Sequence, residues 1–370
     1  MITPQIRTIA VIAIATLPFL YGIWWLWWRL PKRQMDHLAL KIRDPKARAD
    51  VEDNLRKTIG QALGGAAVLF GAGSALFQFL HQQQAAHELL ISNQVSKGFE
   101  QLAGKEPVMR LGGIYALEGV MNASDQYRIP VLEALCAFVR DQTVKIGQPE
   151  EPATEVQAVL TVIGRRAKGP GDVNLKFARI PNAKLNHADL AGADLNGANL
   201  RGAELVNADL TRANLIATDF TNAFLSEADL TNALLSGADL TRADLNGANL
   251  TGVRVRFDGS QIPGAGPLNL TGAKLTGANL TDADLTGVKL TGADVTGANL
   301  TRADVTGADL TGANLTGVKL TGANLTRTNL AKSHFQVNQA QLDGACGKDA
   351  KLPAGLTLKP CPETQGKAPQ

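Results

Sequence analysis

The sequence predicts a mainly β fold, a coil of short extended segments built from a repeat, preceded by two membrane-crossing helices and a small helical region. Three observations carry this. From Val173 to Ala340 the chain repeats with a period of five, and 25 of the 34 central positions, taken at 175, 180 and so on to 340, are Leu. Two uncharged apolar runs, at about 9–28 and 59–80, stand near the N-terminus. Between them and the repeat lie amphipathic segments whose apolar residues recur every three or four positions.

The run Ile9–Trp28 has 20 residues without a charge, enough to cross a bilayer core of about 30 Å. It ends in four tryptophans between Trp24 and Trp28, followed by Arg29, Lys32 and Arg33, an aromatic belt with basic anchors. A cleaved leader would carry its charge before the apolar run and small residues at a cleavage site, and this run has neither. The second run, Ile59–Leu80, places Gly60 with Gly64, and Ala67, Gly71 and Ala75, four apart, so another helix could approach closely and oligomers could form. Gln61 and Gln78 are its most polar side chains, which argues against an ion pathway. The connecting loop 29–58 holds nine Lys and Arg against five acids, and no Lys or Arg occurs after the second run until Lys97. The positive-inside rule then puts the loop in the cytoplasm and both termini on the opposite side. Residues 1–84 are thus expected to form a membrane hairpin.

A helical region is expected over 85–147. Ile91, Val95, Phe99 and Leu102 share one face of its first helix. The segment 108–121 offers Leu111, Ile114 or Tyr115, Leu117 and Met121, and a third helix opening at Pro130 offers Val131, Leu135 and Phe138 or Val139. Cys136 falls inside that pattern as a small core residue. Residues 148–172 read as a linker and a capping helix, with Thr154 and Gln157 spaced as a capping box and Val156, Val159, Leu160 and Ile163 facing the start of the repeat.

A period of five suits neither a straight helix nor a straight strand. In a helix the Leu would spiral round the axis, and in a strand it would change face at every repeat. The conflict disappears if the chain turns a corner every five residues, so that Leu and the residue two before it, Ala at 23 of 34 positions, both point inward. The Asp or Asn before each Leu then forms a solvated outer face. Runs such as ADLTRADLNGANL (238–250) and GANLTDADL (277–285) closely resemble the pentapeptide-repeat family. That resemblance, over 173–340, implies a right-handed quadrilateral β-helix, and at 20 residues per coil the repeat makes about 8.5 coils. The segments RLGGIYALE (110–118) and QAVLTVIGRR (157–166) are similar to those of bacterial members with two N-terminal membrane helices, which implies a multi-pass protein of the inner membrane.

The stretch 256–267 keeps the phase but loses the residue types, with Asp258 and Pro263 for Ala and Ser260 and Ala265 for Leu; it is a bulged loop, a coil with a softer core, or a projecting recognition loop. Residues 341–370 no longer repeat and read as a cap and tail, in which Cys346 and Cys361 are either bridged or free.

No catalytic residue, cofactor-binding residue or metal ligand is assigned. His37, His81, His87, His187 and His334 have no metal-ligand spacing, and no phosphate- or dinucleotide-binding fingerprint occurs. The expected function is a non-enzymatic, membrane-anchored scaffold that contacts the lipid bilayer and presents a rigid surface to a protein partner. An oligomeric channel or transport accessory is the alternative. A nucleic-acid mimic regulating topoisomerases is a third reading, and a net charge of −1 over 173–340, from 14 basic and 15 acidic residues, argues against it.

Overall fold

A computed structural model describes residues 44–145, 150–166, 171–255, 266–331 and 338–362, together with Tyr21, Gly22, Trp24, Trp25, Arg29 and Arg33. The chain forms two compact units, divided between Leu90 and Ile91. Of the first apolar run only Tyr21, Gly22, Trp24 and Trp25 are described, all of them helical, and the rest of 9–28 lies outside the described residues.

The second apolar run belongs to one long helix, α1 (Pro45–Leu102). The helix therefore includes the last part of the expected loop 29–58 and passes without a break through the expected boundary at 84. Its start is well specified: Pro45 occupies the first helical position and the Lys46 backbone N–H donates to Asp44 Oδ1 at 3.0 Å. Glu52–Arg56 and Asp53–Lys57 pair along its first turns. Good helix formers such as Gln82, Gln83, Ala85 and Ala86 carry it onward with no proline to stop it. Its most apolar 18-residue window has a mean hydropathy of 1.6 and no buried residue, and Val68, Leu69, Phe70, Leu76, Phe77 and Phe79 are all exposed. Among the described residues it is the one helix long and apolar enough to cross a membrane.

In the second unit, Ile91, Val95 and Leu102 of α1 are buried beside α2 (Pro107–Ala123). A Cβ on Gly113 would lie 2.6 Å from Leu102 N and 2.7 Å from Gly98 O, so the two helices touch backbone to backbone there. Next come α3 (Asp125–Lys145) and α4 (Thr154–Gly164). Helix α3 begins five residues before the expected Pro130 and carries that proline inside it. Where the periodicity left two candidates, Ile114 and Val139 are fully buried and Tyr115 is exposed. Arg110 binds Glu155 in a largely buried ion pair that joins α2 to α4. Helix α4 has Ala153, not Thr154, at its N-cap, and no side chain caps it. The expected capping box is absent because Gln157 is engaged elsewhere.

From Asn174 the backbone coils with parallel bridges at an offset of 20 residues, Asn174 with Asp194, Arg179 with Asn199, Lys184 with Glu204 and Asp189 with Asp209. Each bridging residue donates to the Ala position of the preceding coil, and each Leu donates to the bridging residue of the next, as in Asp194 N to Val173 O and Leu195 N to Asn214 O. Ala and Leu both point into the core, which is continuous with that of α2, α3 and α4. Every corner is closed by a bond of the type Ala193 N to Leu190 O, 3.0 Å, and its third residue has φ near +60°. Gly192 is one such residue, and glycine recurs there because this region is nearly free of cost without a Cβ.

The expected unbroken count is corrected at one place. Asp239, Asp244 and Asn249 bridge to Asn269, Lys274 and Asn279 at an offset of 30 residues. Two pentads therefore stand between the side at Arg254 and the side at Asn269 without adding a side to the stack. The phase survives in the sequence only because the extra length is two whole repeats, and residues 256–265 themselves lie outside the described ones. At the far end the repeat also stops before 340, since Ala340 lies in α5 (Gln339–Asp343). The tail then adds further sides: Cys346 bridges Asn324, Lys351 bridges Asn329, and Lys359 bridges Cys346.

Candidate functional site

The Asp or Asn before each Leu is not simply solvated. Asp209 Oδ1 accepts from the Thr211 N–H at 3.0 Å and from Thr211 Oγ1 at 2.7 Å, which fixes the next corner. Where the residue is Asn, its amide also reaches across the stack: Asn249 Nδ2 donates to Thr231 Oγ1 at 2.8 Å, and Asn269 Nδ2 to Asp239 Oδ1 and Thr241 Oγ1. The outer wall is a hydrogen-bonded ladder of half-buried groups. At Asp309 the Thr311 hydroxyl, opposed by partial burial and aided by the Thr311 amide, Thr291 and Asn329, holds the carboxyl below its usual range.

Acids and bases also pair between neighbouring coils, both at ladder positions and at corners. Arg302 grips Asp282 with two bonds of 2.6 Å, and Lys176 meets Asp194 at 2.9 Å. The Arg302 hydrogen bond and charge, against slight desolvation, keep the Asp282 carboxyl below its usual range. Among the described residues of the coil, Phe177 and Phe224 break the polar surface, both at least half exposed. Phe177 lies over Gly197, where a Cβ would come 2.6 Å from its ring. Phe224 borders a shallow groove with Pro181, Asn182, Arg201 and Thr221.

The N-terminal end of the coil is closed by side chains acting as a missing coil. Gln157 Nε2 donates to Lys184 O at 2.9 Å and Gln157 Oε1 accepts from Lys184 N at 2.9 Å, the pair of bonds that a strand would make. Asp189 N donates to Gly164 O, Arg166 Nη1 donates to Asp189 O at 2.6 Å, and Arg140 Nη1 donates to Asn174 O. Three of the four sides of the first coil are thus satisfied by α3, α4 and the residues after α4. Gly164 sits so close to Ala188 that a Cβ would fall 2.8 Å from its methyl. At the other end Gln341 Nε2 donates to Val318 O at 2.8 Å, and Gln339 exchanges two bonds with Thr357. The sequence marked Gln157 only as half of a capping box and did not mark Gln339 or Gln341, since their partners are backbone groups far along the chain.

Cys346 and Cys361 form a disulfide, with Cα atoms 4.6 Å apart. Cys136 is buried, and that burial pushes its thiol up, away from nucleophilic use. Of the histidines, His81 and His87 lie on α1 and His187 at a corner, while His37 and His334 fall outside the described residues. Among the described residues no three of His, Cys, Asp and Glu stand together as a metal site.

A family model described as pentapeptide repeats matches eight copies over residues 181–215, 213–252, 269–302 and 298–336. A comparison with curated proteins finds no match. Among solved structures, the chain is similar to HetL of the cyanobacterium Nostoc sp., a pentapeptide-repeat protein involved in heterocyst differentiation regulation. That match is 30% identical, covers 48% of this chain and 84% of HetL, and has a TM-score of 0.30. It is also similar to QnrB1, a plasmid-mediated fluoroquinolone resistance protein, at 22% identity, covering 50% of this chain and 89% of that one with a TM-score of 0.28. A pentapeptide-repeat protein of the Arabidopsis thaliana thylakoid lumen matches at 28% identity, covering 37% and 79%, with a TM-score of 0.18.

Proposed function

Because the chain belongs to the pentapeptide-repeat proteins, we propose that it is a membrane-anchored, non-enzymatic scaffold whose coil presents a fixed surface to a protein partner. The observation that carries this reading is α1. Its central apolar residues are exposed, and the same helix supplies Ile91, Val95 and Leu102 to the core that continues into the coil. An exposed apolar helix of this length is stable in lipid and a liability in water. The scaffold part rests on a wall whose donors and acceptors are satisfied coil by coil, which holds surface side chains at fixed spacing.

The coil lies on the side of the membrane opposite the basic segment that precedes Ile59. Two independent observations support this placement. Arg29 to Lys57 is rich in Lys and Arg while neither occurs from Thr58 to Ser96, and the Cys346–Cys361 disulfide suits an oxidising compartment. The nucleic-acid mimic is disfavoured because the Asp ladder is spent on threonines and on neighbouring Lys and Arg. The test is quantitative cross-linking in native membranes, with the full chain compared against a variant carrying Phe224→Ala and Arg201→Ala. A partner captured by the first and lost from the second supports the scaffold. Capture of the same proteins by both, or by neither, counts against it.

A further inference from the structure

The outermost layer at the C-terminal end of the coil is held differently from every layer beneath it. Cys346 and Lys351 are tied into the stack in the ordinary way. Leu325 N donates to Cys346 O at 2.7 Å, Leu330 N to Lys351 O at 2.9 Å, and Lys351 N to Thr328 O at 2.9 Å. The strand that returns over them keeps only the Lys359 bridge to Cys346 from that pattern. Between Leu352 and Cys361 the backbone is tied down by Gly347 N to Lys359 O and by the Thr357 exchange with Gln339. Leu352, Leu356 and Leu358 are only half-buried, in contrast to the fully buried Leu of the coils below. Leu358 nevertheless covers Gly347, where a Cβ would lie 2.7 Å from its methyl and 2.8 Å from the Leu325 backbone. Beside these bonds, the Cys346–Cys361 disulfide joins the strand to its own edge and closes a loop of 15 residues. Both cysteines are half-buried.

We propose that this disulfide is a redox latch: its reduction by a dithiol releases the strand 352–361 and uncovers the coil edge at Cys346 and Gly347. In the reaction one thiol of the dithiol, as thiolate, attacks a cystine sulfur and breaks the S–S bond, giving a mixed disulfide and one free cysteine. The second thiolate closes on the first sulfur and expels the other cysteine. The dithiol ends as a cyclic disulfide, and its two protons end on Cys346 and Cys361. The opening is local, because the coils below keep their ladder and their Leu and Ala core.

The test is hydrogen exchange by mass spectrometry on the full chain in detergent, oxidised and then reduced with dithiothreitol, with the double variant Cys346→Ser and Cys361→Ser in parallel. For a loop of this length, loss of the cross-link is expected to raise exchange at Gly347 and across 352–361 about a hundredfold. Exchange across 239–254 and 269–290 is expected to stay the same. Unchanged exchange at 347–361 after reduction overturns the latch. So does acceleration spread over the whole coil, or alkylation of both thiols in protein never exposed to reductant.

Discussion

At the scale of single residues, the coil is governed by where a Cβ fits and by which backbone groups find partners. Ala208 is fully buried between Leu205 and Leu210. Ala208→Leu has no room for its added carbons and is expected to lower stability by about 1–3 kcal/mol, read from chemical denaturation. At the corners the opposite change helps. Ala217 has φ of 54°, a strained region for any residue with a Cβ, and Ala217→Gly is expected to gain about 0.5–1 kcal/mol. Gln157→Leu removes both bonds to Lys184 and leaves that edge without a partner, at a cost of about 1–3 kcal/mol in the same measurement. The small inward Ala was legible in the sequence, because a corner every five residues points it into the core; the left-handed φ at 217 was not, because the period requires a corner without fixing its dihedral angles. Gln157 was misread as half of a capping box, since an amide that imitates a strand looks the same in sequence as one that caps a helix.

At the scale of elements, the cap depends on two close contacts between pieces distant in sequence. Gly164 and Ala188 meet where α4 lies on the first coil, so Gly164→Ala is expected to destabilise the cap, and adding Ala188→Gly is expected to restore most of the loss. A double-mutant cycle on thermal midpoints measures this; simple additivity would show that the two residues do not meet. The second contact is the Arg110–Glu155 pair. Burial raises the Glu155 carboxyl, but the Arg110 hydrogen bond, the local backbone amide and the Arg110 charge outweigh it, leaving it below its ordinary value. A carboxyl lowered in the folded state stabilises it above the ordinary Glu range, and that stability is lost as pH falls through the lowered value. Glu155→Gln is therefore expected to cost about 3 kcal/mol at neutral pH and to flatten the acid side of the stability profile. An acid limb as steep as that of the unchanged protein would contradict this. Helix existence and buried faces were readable here from spacing, as Ile114, Leu117, Val131 and Ile163 show. Helix limits were not: α1 runs through the expected break at 84 and α3 starts before Pro130, because no strong stop signal stands at either place.

At the scale of the whole chain, the repeat announced its architecture, and the lost residue types marked the irregular stretch 256–267, but the unbroken phase hid that two pentads add no side to the stack. Two pentads outside the stack leave the phase intact, so counting alone gave a longer coil than the bridges allow. The sequence also exposed the apolar content of 59–80, and the structure adds that this stretch is one continuous helix with 91–102. The central claim is that this helix carries the coil across a membrane, away from its basic flank. The direct measurement is a pair of fusions in the full chain, each with a reporter active only in the cytoplasm, placed at residue 45 and after residue 370. Activity at 45 and none at 370 is the expected result. Activity at both sites, or at neither, would show that 59–80 does not cross the membrane, and activity at 370 alone would show that the coil faces the cytoplasm.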